Sequence, residues 1–173
     1  MTTARCHPAA GYESAGAGGS AVQIRDLMHN CIRVRPDIKV GEALRVMVEK
    51  QVDGVPVVDD RNQVVGILTY ADLLRFARRH HPRLMDFFMY AVVIEEEDDD
   101  VRSRFERILN LPIGQVCTHH VVTCRPDDEA SDVAGLMVDH RIKRVPVVND
   151  SGALVGVVGR DDLIRAIWEA YTR

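Results

Sequence analysis

The sequence predicts a mixed α/β (α+β) fold in which one small unit occurs twice. The apolar run Val64–Leu68 has the length of a short buried strand, and Thr69, Asp72 and apolar residues at helical spacing follow it. The same succession returns 90 positions further on, at 154–163. A pattern that recurs together with its surroundings is an internal repeat, so both halves of the chain should share one architecture.

The order of elements within a repeat follows from periodicity and from breaking residues. Apolar residues at 40, 43, 44, 47 and 48 have the spacing of one face of an amphipathic helix, which Gly54 ends. A proline near the start of the next strand is tolerated there. The predicted order is an extended segment at 31–36, a helix at 40–52, strands at 55–58 and 64–68, and a helix from Tyr70 to about Arg79.

The second copy aligns with the first without a gap, and about a third of roughly 45 aligned positions are identical. Ahead of this stretch, the segment that begins at Ile24 matches the one that begins at Ile113 at an offset of 89, so one residue is inserted. The predicted domains are a disordered tail at 1–21, a first domain at 22–79, a connecting segment at 80–110 and a second domain at 111–173.

Composition narrows the classes of function. A net charge of -4 and a sequence pI of about 6.0 imply no basic face, which argues against nucleic acid as a partner. No apolar run approaches the roughly 20 residues of a membrane span, and no charged-then-apolar signal peptide begins the chain. Cys6, Cys31, Cys117 and Cys124 show no paired spacing, so we expect a reduced, cytoplasmic protein.

The repeated motifs resemble a stand-alone tandem pair of CBS domains, the arrangement called a Bateman module. The motifs are Leu27-Met28, Pro36-Asp37, Val40 to Met47, Val55 to Asp59 and Gly66 to Asp72, then Pro126-Asp127, Val145 to Val148 and Gly156 to Asp162. The resemblance implies two βαββα units packed about a pseudo-twofold axis, which commonly form homodimers. It also implies an adenosine-containing ligand (AMP, ADP, ATP or S-adenosylmethionine) in the clefts between the repeats.

In this family a glycine–apolar–x–Thr/Ser–x–x–Asp pattern contacts the nucleotide. By resemblance, Asp72 accepts ribose hydroxyls, Thr69 contacts ribose or phosphate, and Gly66 belongs to the same motif. The first turn of a helix suits a phosphate, because it offers unpaired N–H groups and a positive dipole end. Val55 and Pro56 would flank the adenine. The candidates in the second copy are Val145, Pro146 and Asp162.

Thr69 and Asp72 also fit a capping box, in which the hydroxyl caps the helix and the carboxylate reaches back. Such a cap stabilises by about 1 kcal/mol without any ligand. We expect Asp72→Ala to weaken nucleotide binding while leaving the fold largely intact. Unfolding at unchanged affinity would favour the cap instead. Both roles can coexist.

The second copy departs from the pattern at Gly159, where a threonine or serine is expected. Glycine has no hydroxyl, although its backbone N–H remains. Arg144 directly precedes Val145. In the nucleotide-sensing subunit of AMP-activated protein kinase, basic residues at the similar place contact phosphates. By this resemblance Arg144 is a candidate to supply charge to an anionic ligand, and Lys143 is the weaker candidate. The alternative is that Lys143 and Arg144 are solvated cations at a helix end, where they interact favourably with the helix dipole and bind no ligand. The two sites are therefore expected to differ, with one of them occupied.

Cys117, His119, His120 and Cys124 form a cluster that suggests zinc, but they lack the paired short spacings that zinc sites use. They also straddle a strand boundary, where alternate side chains point to opposite faces. We therefore expect no metal site; magnesium could accompany a bound nucleotide.

The connecting segment carries more apolar residues than a plain linker needs. We expect Leu84–Ile94 to pack on the domains or across a dimer, with partner binding as the alternative. The acidic run Glu95–Asp100 is expected to be a solvated linker, with a weak site for a divalent ion or a basic partner as the alternative. A helix is predicted over 101–109.

The leading hypothesis is a non-enzymatic regulatory module that senses an adenosine-type small molecule and signals to a separate effector protein. The alternative is a structural homodimerisation or interaction module with no nucleotide ligand. An enzyme is disfavoured, since the sequence contains no nucleophile–base pair, glycine-rich phosphate loop or HExxH-type motif.

Overall fold

The computed structural model describes residues 4–5, 21–80, 103 and 106–172. The predictions for Leu84–Ile94, for Glu95–Asp100 and for residues 1–3 and 6–20 of the predicted tail lie outside these residues. Within that tail, a two-residue strand β1 (Ala4–Arg5) occurs where the sequence predicts disorder. It pairs in parallel with Val122–Thr123, whose backbone gives it hydrogen-bond partners.

The first repeat contains the predicted helices and strands. They are α1 (Ile24–Leu27), α2 (Val40–Glu49), β2 (Gly54–Val58), β3 (Val64–Thr69) and α3 (Tyr70–His80). The predicted extended segment is reduced to a parallel bridge between Val34 and Val57. Helix α2 ends at Glu49, before Gly54, because Gln51 adopts a left-handed backbone with φ of 54°.

The second repeat has the same order after a 3₁₀ turn at Ile113–Gln115. Its elements are β4 (Val122–Thr123), α4 (Ala130–Asp139), β5 (Arg144–Val148), β6 (Leu154–Gly159) and α5 (Arg160–Tyr171). Strand β2 pairs with β3, and β5 pairs with β6 in antiparallel register. The predicted α+β class is confirmed, and residues 106–109 of the predicted 101–109 helix are helical.

The compact units of the fold cross the boundaries of the sequence repeats. The described residues of 32–59 and 65–119 form one unit, which we call the Asp72 unit. Those of 1–31, 60–64 and 120–173 form the other, which we call the Asp162 unit. The segment ahead of each repeat thus packs with the helices and strands of the other repeat. The sequence boundaries 22–79 and 111–173 stay a prediction about the repeats, not about the packing.

Each unit has its own apolar core, built from the inward face of a helix and from the strands. The largest fully buried side chains of the Asp72 unit include Val40, Met47, Val55, Val57, Leu68 and Ile113. Those of the Asp162 unit include Ile24, Val133, Met137, Val145 and Val147. Met47 and Met137 therefore have the core role that the repeat predicts for both.

The segments that begin at Ile24 and Ile113 each pack with the other repeat, and we call them the exchanged segments. Paired backbone hydrogen bonds hold them in place. His29 and Val157 each donate an N–H to the other's carbonyl at 3.0 Å, and Thr118 and Ile67 do the same at 2.9 Å. The neighbouring glycines permit this close approach. A Cβ atom at Gly66 would lie 2.8 Å from Cys117 Sγ, and one at Gly156 would lie 3.0 Å from the His29 carbonyl oxygen.

No helix among the described residues combines the length and apolar character needed to cross a bilayer.

Candidate functional site

The two motif aspartates occupy equivalent places in their units. Asp72 is the third residue of α3 and Asp162 is the third residue of α5, and each helix directly follows a strand. Each Oδ2 accepts a hydrogen bond of 2.8 Å from the backbone N–H of the residue before the helix, Thr69 or Gly159. The carboxylate half of a capping box is thus present in both units.

Asp72 is 3% exposed, and both of its carboxylate oxygens are occupied. The Thr69 hydroxyl adds a bond of 2.6 Å to Oδ2, and it accepts the Asp72 N–H at 3.3 Å, which completes the capping box. Oδ1 accepts from the Thr118 hydroxyl at 2.7 Å and from the Arg75 guanidinium at 2.9 Å. The carboxylate therefore accepts four hydrogen bonds.

Asp162 has fewer partners. Besides the Gly159 N–H, its Oδ2 lies 3.4 Å from His29 Nδ1. Its Oδ1 has no hydrogen-bond partner among the residues that the structure describes, and its side chain is 18% exposed. Gly159 supplies no hydroxyl, as the sequence predicts. The second site is therefore the more open of the two.

Two residues at the sites were missed in the sequence. Thr118 lies 46 positions from Asp72, and His29 precedes the first repeat altogether. The available signal was the offset of 89 in the leading segment, which makes His29 the counterpart of Thr118. The sequence contains that equivalence, but not the packing of each segment against the other repeat.

The predicted cations flank the start of α5. Arg144 lies directly opposite Gly159 in the strand register, and the Lys143 carbonyl accepts the Arg160 N–H at 3.0 Å. The Arg160 guanidinium itself donates to the Ile142 carbonyl at 3.1 Å. Positive charge therefore lies in the same unit as Asp162, where it can support an anionic group.

The predicted adenine-flanking residues are core residues. Val55 and Val145 are 1% and 0% exposed, and Pro56 and Pro146 are buried in the same strands. The proline carbonyls accept the N–H groups of Val34 and Cys124 at 3.0 and 3.1 Å. Their contact with an adenine, through backbone or apolar atoms, stays a prediction.

Gly66 and Cys117 form a tight packing pair beside Asp72. Gly66 is buried, and Cys117 is 7% exposed. Burial, and to a smaller extent the negative charge of Asp72, raise the pKa of the Cys117 thiol from 9.0 to about 11. A thiol in this state is a packing group at neutral pH, not a nucleophile.

This shift predicts a loss of stability at alkaline pH. Above pH 9 the unfolded chain loses the Cys117 proton while the folded protein keeps it, so the free energy of unfolding falls until about pH 11. The loss should reach about 2–3 kcal/mol. Urea unfolding under reducing conditions from pH 8 to 11 measures it, with Cys117→Ala as the control. Parallel pH profiles for the two proteins would contradict the prediction.

The cysteine–histidine cluster is divided between the units. Cys117 packs in the core of the Asp72 unit, whereas Cys124 packs in that of the Asp162 unit. His119 and His120 are exposed, and His119 Nδ1 lies 3.4 Å from the Val65 carbonyl oxygen. Within the described part of the chain, no three His, Cys, Asp or Glu side chains are placed to hold a metal ion.

Comparisons of sequence place these features in a known family. A family model described as CBS domain matches the chain twice, at 24–79 and at 113–169. An uncharacterised protein of Methanocaldococcus jannaschii is 31% identical over 160 residues, which cover 86% of this chain and 93% of that protein. The chloroplastic CBS domain-containing protein CBSX2 of Arabidopsis thaliana is 27% identical over 135 residues, which cover 77% of this chain and 57% of CBSX2.

Solved structures agree with the fold. A crystal structure of CBSX2 in complex with AMP has a TM-score of 0.65 at 26% identity, covering 86% of this chain and 98% of that one. The CBS domain of a membrane protein from Sphaerobacter thermophilus has a TM-score of 0.64 at 33% identity, covering 84% of this chain and 87% of that one. The resemblance found in the motifs is confirmed: the chain carries a tandem pair of CBS domains and belongs to the CBS domain family.

Proposed function

We propose that this protein is a non-enzymatic regulatory module that binds an adenosine-containing ligand and signals to a separate partner. The observation that carries the proposal is the repeated placement of an aspartate in the first turn of a helix that follows a strand. The AMP complex of CBSX2, which is similar to this chain over 86% of its length, supports the ligand class. Signalling would follow from different affinities for two conformations, since a ligand shifts only the equilibrium that it distinguishes.

The chemistry of the site fits such a ligand. A carboxylate accepts hydrogen bonds from both hydroxyls of a ribose, as in dinucleotide-binding folds. Thr69, Arg144 and Lys143 are the candidates for ribose or phosphate contacts. We assign no catalytic role to these groups, because the motif aspartates serve as helix caps and burial raises the pKa of the Cys117 thiol to about 11.

Isothermal titration of the full chain tests the proposal, with AMP, ADP, ATP and S-adenosylmethionine as probes, each with and without magnesium. We expect saturable binding of at least one of them at one site per chain. A titration with adenine-free ribose 5-phosphate serves as the control for simple anion binding. Absence of heat from every probe, with folded protein verified by circular dichroism, would contradict the proposal.

A second candidate function is a homodimerisation module without a nucleotide. One exposed face of α5 favours it, because four large apolar side chains lie there at the spacing i, i+3, i+4 and i+7. They are Ile164, Ile167, Trp168 and Tyr171, which are 65%, 64%, 63% and 83% exposed. Exposed apolar patches of this kind often mark protein interfaces. Light scattering on the titration sample separates the two: a stable dimer that binds no probe favours this second function.

A further inference from the structure

We propose that the outer edge of the extended segment at 32–35, in the Asp72 unit, is a docking site for an extended acidic segment of a partner protein. We call this surface the Arg33 edge. The partner segment adds to the sheet as a parallel strand and binds through main-chain hydrogen bonds. The inference rests on the part of the proposed function that names a separate partner, and it requires no bound nucleotide.

The inner edge of this segment is bonded to β2. Val34 donates its N–H to the Pro56 carbonyl at 3.0 Å, and its own carbonyl accepts the Val58 N–H at 2.9 Å. Because consecutive residues of a strand direct these groups to opposite edges, Arg33 directs its N–H and carbonyl away from β2. Val34 is 8% exposed, and Ile32 packs against the same core. The outer edge is therefore held in a preformed position.

The second repeat shows what such an edge binds. Cys124, the counterpart of Val34, makes the same two backbone bonds with β5, at 3.1 and 2.9 Å. Thr123, the counterpart of Arg33, lies on the outer edge, where it is paired with Arg5 of β1 in parallel register. A strand thus covers this edge in the Asp162 unit, and Thr123 is only 6% exposed.

The equivalent edge of the Asp72 unit carries no strand among the residues that the structure describes. Within these residues, the Arg33 N–H and carbonyl have no hydrogen-bond partner, and the side chain is exposed and makes no ion pair. Strand β1 is paired in the other unit. Unpaired N–H and carbonyl groups at the edge of a sheet are a template for pairing with another chain.

The charge of the Arg33 edge selects an acidic partner. Arg33 and Arg35 are two residues apart, so they lie on one face of the segment, and both are exposed. The stretch 31–36 contains no acidic residue. Ile32 lies on the opposite face and is half-buried. A partner strand in which acidic and apolar residues alternate therefore places carboxylates beside the arginines and apolar side chains beside Ile32.

The test is isothermal titration of the full chain with a short peptide of alternating valine and glutamate, acetylated and amidated at its ends. We expect saturable binding at one site per chain. Two further peptides are N-methylated, one at every valine and one at every glutamate. Since only one set of N–H groups faces the Arg33 edge, one of these peptides should bind like the parent and the other at least about tenfold more weakly. Both carry the parent's charge, so the difference reports main-chain pairing.

Variants of the full chain locate the site. Arg33→Pro removes the outward N–H but keeps both backbone bonds of Val34, and the Kd of the parent peptide should rise at least about tenfold. Arg33→Glu keeps the backbone and reverses the charge, and it should raise the Kd about fivefold at low salt. The matched control is Arg45→Glu, at a 72% exposed arginine of α2 in the same unit, which should change the Kd less than about twofold. Circular dichroism verifies the fold of each variant, and Arg33→Glu and the methylated peptides decide if Arg33→Pro does not fold.

Absence of binding to the parent peptide overturns the inference, whereas the nucleotide titration tests the other part of the proposed function, so the two can fail separately. Equal affinities of the two methylated peptides, or unchanged binding in a folded Arg33→Pro variant, would indicate charge attraction or another site and overturn it too. A further variant changes the acidic run Glu95–Asp100 to glutamine and asparagine. If the peptide binds to this variant alone, the chain's own run occupies the edge and the assignment to a partner is wrong.

Discussion

Replacing Asp72 by alanine is expected to lower the free energy of unfolding by about 3 kcal/mol, whereas the same change at Asp162 should cost about 1 kcal/mol. At Asp72 the substitution leaves the Thr69 and Thr118 hydroxyls without their acceptor inside a closed site. Leaving two hydroxyl donors without an acceptor lowers the free energy of unfolding more than losing a helix cap does. At Asp162 the change removes the bond to the Gly159 N–H and the contact with His29.

Urea unfolding followed by circular dichroism near neutral pH measures both variants. Asp72→Asn is the conservative control, because an amide keeps the size of the side chain but can accept only at one atom. It should lose less stability than Asp72→Ala. Equal losses at Asp72 and Asp162 would mean that the bonds from Thr118 and Arg75 contribute nothing to the stability of the first site.

This expectation revises the one drawn from the motif alone, that Asp72→Ala leaves the fold largely intact. The motif contains only local partners, and Thr69 and Asp72 belong both to the helix cap and to the nucleotide-binding pattern. The deciding partner is Thr118, which is 46 positions away. Local sequence cannot show whether Asp72 acts mainly as a cap or as a ligand, because the hydroxyl that donates to its second carboxylate oxygen is placed there by tertiary packing.

The helices and strands could be predicted because their signals are local. The spacing of Val40, Ala43 and Met47 predicts the buried face of α2, and all three are 0–1% exposed. Apolar runs bounded by turns predict β2 and β3 in the same way. The end of α2 could not be placed, since a left-handed Gln51 carries no composition signal comparable to glycine.

The exchange of leading segments lay beyond the repeat pattern. A repeat shows that Ile24 and Ile113 are equivalent, but equivalence holds whether each segment packs on its own copy or on the other. What decides is which core accepts the side chain: Ile24 is buried with Met137 and Val145, and Ile113 with Met47 and Val55. Such a choice depends on the whole chain, because the two cores are similar apolar clusters and offer no local preference.

The close contact between the exchanged segment and β3 leads to the other large effect. Gly66→Ala is expected to lower the free energy of unfolding by about 2 kcal/mol, because the added methyl group would lie 2.8 Å from Cys117 Sγ and 3.2 Å from the Thr118 carbonyl oxygen. The thiol can rotate only within a packed core. The carbonyl cannot retreat without breaking its 2.9 Å bond with the Ile67 N–H.

Gly135→Ala is the matched control, since a Cβ atom there meets nothing within 4 Å and the position lies inside α4. It should stabilise by roughly 0.5–1 kcal/mol through helix propensity, so the two glycines should shift in opposite directions in the same urea titration. The double variant Gly66→Ala/Cys117→Ala separates the two contacts at Gly66. It should recover the part of the loss that comes from the thiol, and not the part that comes from the carbonyl, because the Thr118 backbone holds the exchanged segment. Full recovery would show that this backbone can yield, and that the exchanged segment is less tightly fixed than its paired hydrogen bonds imply.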